Sequence, residues 1–184
     1  MPEKAPDATS LYDAAINHMA RYAATEASLA RVLARRIDRW GQKQADQAVA
    51  EELSQQIRLS KAAIPGVLAR LKELGVLNDE AFAASRAKRL TKSGKSRRAT
   101  LAHLAAKGVQ APSLADDPQR ELAAACAYLR RRRAGPYGDT PPEKILAAMA
   151  RGGFSQNIAR RALALSRQDA DAAISALEQD TFLS

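Results

Sequence analysis

The feature that most constrains this chain is a recurrent ending: an apolar helical stripe, then glycine, then an apolar residue. It reads Leu68-x-x-Leu71-Lys-Glu-Leu-Gly75-Val76, then Leu101-x-x-Leu104-Ala-Ala-Lys-Gly108-Val109, then Leu146-x-x-Met149-Ala-Arg-Gly-Gly153-Phe154. Side chains three apart share a helix face, and glycine readily takes the left-handed conformation that ends a helix. Helical units repeated in this way stack to share core surface that none could bury alone. Composition agrees. Hydrophobic residues make up 46%, too many for a wholly disordered chain, and much of that is alanine, with aromatics only 4%. β-Branched and aromatic residues are sparse, so helices are expected and an extensive sheet is not.

Residues 1–9 read as a flexible leader. Ser10 is placed to cap a first helix, with Asp13 completing a box and Leu11, Ala15, Ile16 and Met19 forming the stripe. Thr25 caps the next, in which Leu29, Val32, Leu33, Ile37 and Trp40 share a side. Residues 41–60 are polar and admit two readings, helix through Ala45 to Gln56 or a mobile linker. A further helix runs from about Ser60 to Leu74, with Pro65 in its first turn and Gly75 as its stop. Asn78 caps its successor, while Leu77 and Phe82 hold the two positions of a hydrophobic staple. Gly94 to Arg98 turn the chain into a helix containing Leu101 and Leu104. Asp117 caps and Pro118 starts another, holding Leu122, Cys126 and Leu129. Thr140-Pro141-Pro142-Glu143 reads as a cap, a first-turn proline and a box glutamate. Ser155 caps a helix with Ile158, Ala162 and Leu165, and Arg167 to Asp180 resembles one more, acidic on balance.

Little here suits catalysis. The single cysteine, Cys126, excludes an intrachain disulfide and sits in an apolar run, so a buried thiol is expected. His18 and His103 lack metal-ligand spacing to cysteine or carboxylate, and neither a phosphate-binding loop nor a serine elbow occurs. Glu51 and Glu52 are helix neighbours and do not share a face. No catalytic residue, cofactor or metal is expected. With no eighteen-residue apolar run and no hydrophobic secretory core, a cytoplasmic protein without membrane contact is expected.

The 29 basic and 20 acidic residues leave a formal charge of +9, which suits an acidic partner. The excess is clustered. Arg86, Lys88, Arg89, Lys92, Lys95, Arg97 and Arg98 follow one another with no acidic residue between them. Arg130, Arg131, Arg132 and Arg133 form a second patch, Arg151, Arg160 and Arg161 a third, and Arg31, Arg35 and Arg39 recur at four-residue spacing. Cations so placed can neutralise successive phosphates and position a protein without reading bases. The same residues equally suit an ordinary solvated helix face or an acidic protein groove. Aromatic residues are not interleaved, so a base-stacking platform is not expected. Tyr137, expected to be exposed between Pro136 and Gly138, fits either a contact anchor or turn packing.

With these residues in view, the chain resembles the RecX family, regulators of the RecA recombinase, over about residues 11–166. The most recognisable stretch is Val67-Leu-Ala-Arg-Leu-Lys-Glu-Leu-Gly-Val-Leu-Asn-Asp-Glu-Ala-Phe82. The likeness continues through Arg86, Gly94, Arg97, Arg98 and Leu101 to Lys107-Gly108-Val109. It returns at Arg151-Gly152-Gly153-Phe154-Ser155 and Ile158-Ala159-Arg160-Arg161. The resemblance implies an all-α, elongated, right-handed array of three tandem three-helix units with short helical extensions. The units fall at residues 10–77, 78–117 and 118–166, followed by a C-terminal helical extension at 167–184. It also implies binding in the groove of the RecA filament on single- or double-stranded DNA, with damping of strand exchange, ATP hydrolysis and repressor self-cleavage. Direct contact with DNA phosphates and a monomeric free state are further expectations. Two segments depart from the compact family pattern: residues 41–60 enlarge the first unit, and Pro112 and Pro118 shorten or remove the third helix of the second. Two rivals remain. One is a helix-turn-helix transcription regulator using the joints at Gly75–Phe82 and Gly94–Leu101; the other is an adaptor for an acidic helical protein.

Overall fold

Caps and glycines divide the chain into helices throughout. The computed structural model describes residues 4–46, 48–110 and 112–179. Among them run α1 (Ala8–Met19), α2 (Glu26–Gln44), α3 (Ala50–Ala62), α4 (Ile64–Glu73), α5 (Asp79–Lys92) and α6 (Arg97–Ala106). After these come α7 (Pro118–Arg132), a 3-10 turn at Gly135–Tyr137, α8 (Pro142–Arg151), α9 (Gln156–Ala164) and α10 (Arg167–Gln179). The all-α expectation holds. Residues 1–3 of the expected leader, Gln47, Ala111, and 180–184 of the expected extension lie outside the described residues.

Several boundaries differ from expectation, each for a local reason. Ser10 does not cap α1; Asp7 does, its carboxylate accepting from the Ser10 N–H at 2.9 Å, so part of the expected leader is helical. The expected Ser60–Leu74 helix is two. Ser60 belongs to α3, which ends at Ala62, and α4 restarts with Pro65 in its first turn. A continuous helix would need the N–H that proline lacks. The polar 41–60 stretch is largely helix, residues 41–44 closing α2 and residues 50–60 lying in α3. Thr140 does not cap α8. The residue before a proline avoids helical backbone, so Pro141 is extended, the helix begins at Pro142, and Thr140 is one position too early. Asn78 and Ser155 cap as expected, accepting from Ala81 N and Ile158 N.

The chain forms two compact units, the first running to Phe82 and including Lys107–Val109, the second comprising Ala83–Ala106 and the chain from Gln110 onward. In the first, Leu11 and Ala15 of α1, Leu29, Leu33 and Ile37 of α2, Val67, Leu68 and Leu71 of α4, and Leu77 make one core. Phe82, the staple partner expected for Leu77, is only half-buried. The N-terminus of α2 is fastened by three groups. Thr25 and Ser28 form a capping box, Thr25 Oγ1 also donates to the Lys107 carbonyl at 2.6 Å, and Asp79 accepts from Glu26 N at 2.8 Å.

In the second unit α7 is central. Its residues 123–129 are all buried, which removes the usual polar face. α9 and α10 pack on it, and α8 packs on α9. Gly94, at φ +77°, is pressed against the α7 backbone: a Cβ there would lie 2.6 Å from Tyr128 N. Gly75, at φ +68°, has open space where a side chain would go. Gly75→Ala is therefore expected to cost about 1 kcal/mol, left-handed strain alone. Gly94→Ala should cost about 3 kcal/mol, strain and overpacking combined. Urea denaturation followed by circular dichroism measures both; equal losses would contradict the close approach.

Candidate functional site

The acid-free run Arg86–Arg98 spans the end of α5, a turn and the first residues of α6, all in the second unit. The turn is tightly built. Ser93 Oγ donates to the Leu90 carbonyl at 2.8 Å, Lys95 N to the same carbonyl at 3.0 Å, and Gly94 N to Thr91 at 2.9 Å. Ser96, fully buried, accepts from Ala99 N at 3.1 Å as the cap of α6 and donates to the Gly152 carbonyl at 2.7 Å. That bond ties the basic turn to the end of α8, where Arg151 lies. Gly153 completes the fit, since a Cβ there would be 2.6 Å from Ser96 Oγ and 3.4 Å from Arg98 Cβ. The serine before Arg97 was a readable cap signal in the sequence; its tertiary acceptor was not.

The seven cations of this run are not equivalent. Arg97 is half-buried, its Nε donating to the Leu114 carbonyl at 2.9 Å and its N–H to Glu121 at 2.9 Å. Arg86 donates through Nε to His103 Nε2 at 3.1 Å, which occupies the imidazole as an acceptor. Lys92 reaches the Glu178 carbonyl at 3.4 Å, and Lys88 is half-buried and also engaged. Arg89, Lys95 and Arg98 are exposed and make no ion pair among the described residues. Those three are the cations the fold leaves available.

The second patch sits at the C-terminal end of α7, where positive charge favours the helix dipole. Arg130 meets Glu178 at 3.5 Å, so one carboxylate-bearing residue of α10 serves both Lys92 and Arg130. Arg132 lies 4.8 Å over the Tyr128 ring, Arg131 is exposed, and Arg133 is exposed in a left-handed backbone at φ +52°. Arg151, Arg160 and Arg161 are exposed on α8 and α9, while Arg31, Arg35 and Arg39 are exposed on α2 in the first unit. Tyr137 departs from expectation. It is half-buried rather than exposed, because the 3-10 turn folds the ring inward and its hydroxyl donates to Asp171 at 2.8 Å. Burial first, then that carboxylate, hold its phenol above the ordinary range.

Other reactive groups are accounted for by packing. Cys126 is fully buried, and burial, with a smaller effect of Asp171, pushes its thiol up to about 11. Such a thiol is a poor nucleophile at neutral pH. No group of three or more metal-ligating side chains occurs among the described residues, and no helix among them is long and apolar enough to cross a membrane.

Comparison with known proteins gives two matches. The chain is 36% identical over 167 residues to the regulatory protein RecX of Myxococcus xanthus (strain DK1622), covering 84% of each chain. It is 32% identical over 102 residues to the regulatory protein RecX of Agrobacterium fabrum (strain C58), covering 52% of this chain and 55% of that one. No family model matches the chain, and no solved structure matches it significantly.

Glu121 generates a pH prediction. Burial holds its carboxyl above the ordinary 4.5, opposed by the Arg97 N–H and then by the Arg97 charge; Asp116 adds slightly to the rise. The folded chain thus binds that proton more tightly than the unfolded chain, and ionisation lowers stability as pH rises past the raised value. Glu121→Gln keeps an acceptor for Arg97 N without the charge, so it should melt at least as high as the wild type at pH 7. The two should converge as pH falls through 4.5. Glu121→Ala leaves the N–H unpaired and should lose about 1 kcal/mol. Calorimetry across pH 3–8 reads the comparison.

Proposed function

We propose that this chain, which belongs to the RecX family, binds the RecA–DNA filament and damps its recombinase, ATPase and coprotease activities. The observation that carries the reading is the close-packed turn between α5 and α6, which holds Lys95 and Arg98 outward on ordered backbone while Arg97 is consumed internally. Ordered backbone lowers the entropy lost when such cations meet an anionic surface. The contact is with DNA phosphates or with carboxylates of the filament protein, and Arg89, Arg131, Arg133 and Arg151 extend it. Regulation on this reading is noncovalent: several weak contacts on one chain reinforce one another because later ones form intramolecularly. Obstruction of partner DNA or repressor, or altered packing of filament subunits, then slows turnover. No residue of this chain is assigned a catalytic step.

The family reading also supports three tandem helical units at 10–77, 78–117 and 118–166, with four helices in the first (α1–α4), two in the second (α5 and α6) and three in the third (α7–α9) among the described residues. The glycines of the three repeated endings, Gly75, Gly108 and Gly153, all take positive φ, at +68°, +87° and +90°. A monomer acting in the cytoplasm completes the proposal.

The test is RecA-dependent strand exchange and ATP hydrolysis at increasing concentrations of the protein, with filament binding measured alongside. Absence of any effect together with absence of binding rejects the reading. The paired substitution Lys95→Glu, Arg98→Glu should weaken filament association about tenfold at low salt and less at high salt, because exposed charge pairs are screened. Arg97→Glu should instead lower the melting temperature. A palindromic sequence preference without RecA would transfer the case to a helix-turn-helix regulator.

A further inference from the structure

The first unit carries a groove of about 750 Å³ between α2 and α4, lined mainly by apolar atoms. Its floor is Ala30 and Ala34 of α2 with Ile64, Leu68 and Ala69 of α4. Small side chains at successive turns of α2 leave room between two helices that otherwise pack together. Glu26 and Lys72 pair at 2.9 Å at one end; Lys61, paired with Asp38 at 2.6 Å, marks the other. Between them Arg31 lines the groove, exposed and without an ion pair among the described residues.

From this geometry we infer that the groove receives an amphipathic helix of the filament protein, its apolar side chains on the alanine floor and a carboxylate against Arg31. This deepens the proposed function and rests on it. Nucleic acid does not fit the lining, because a phosphate would leave the apolar floor unmatched. A protein helix covers it in the helix-in-groove manner. The remaining surface of this unit agrees: the exposed large hydrophobic residues Tyr22, Val49, Leu59, Leu74 and Val76 all belong to it. Leu74 directly follows Glu73, a lining residue. Arg31 and Glu73 are the lining charges without an ion pair among the described residues, so the groove selects a helix with a carboxylate opposite Arg31 and a base opposite Glu73, giving charge complementarity two defined positions.

The experiment measures the full-length protein binding to RecA filaments on single-stranded DNA and, separately, to the same DNA alone. Arg31→Glu and Ala69→Glu change exposed positions and should leave the circular dichroism melt near that of the wild type. Each is expected to weaken filament binding about tenfold with unchanged affinity for DNA alone, and Arg31→Lys to retain most binding. Wild-type binding matched by both glutamate variants overturns the groove while leaving the regulatory reading intact. Equal losses on DNA alone also overturn it, by making the groove a nucleic-acid surface. Failure of the wild type to bind filaments overturns both.

Discussion

Burial of α7 from every direction is the constraint on which the second unit depends. The run Ala123-Ala-Ala-Cys-Ala-Tyr-Leu129 offers no polar face, so it is stable only when covered by α9, α10 and the turn at Gly94. Alanine buries little area but lets neighbours approach, while Leu129 and Tyr128 each add roughly 1.5–3 kcal/mol on burial. The arginines cannot enter this interior. They collect where α7 leaves it, at Arg130–Arg133, where the helix dipole favours them.

The same packing decides which charges are available to a partner. Gly94 against Tyr128 and Ser96 against Gly152 hold the α5–α6 turn in one conformation. With the backbone so held, Arg97 is drawn to Leu114 and Glu121, whereas Lys95 and Arg98 remain at the surface. A basic run seven residues strong thus becomes a smaller set of exposed cations. α10 contributes as well: the Glu178 carboxylate meets Arg130, and the Glu178 backbone carbonyl meets Lys92. The first unit distributes its surface differently, with an apolar groove and most of its ion pairs exposed around it.

Much of this organisation was legible residue by residue. Gly75, Gly108 and Gly153 ended helices because only glycine takes positive φ without strain; Thr25, Asn78, Asp117 and Ser155 capped because their side chains reach the first free N–H groups. Local rules failed where two signals competed. Asp7 displaced Ser10 as a cap, paired proline moved the start of α8 past Thr140, and Pro65 split one apolar stripe into two helices. The groove between α2 and α4 left no mark in the sequence, since Ala30 and Ala34 read as ordinary helix formers.

The sequence by itself determined an all-helical chain, the placement of most of its breaks and the clustering of its cations, because periodicity, capping and charge act over a few neighbouring residues. Only the tertiary structure decided which cations are spent on carbonyls and carboxylates, that Tyr137 turns inward to Asp171, and where apolar surface stays open. Those outcomes depend on groups such as Arg97 and Glu121, or Ser96 and Gly152, distant in the chain and brought within hydrogen-bond reach by helix packing.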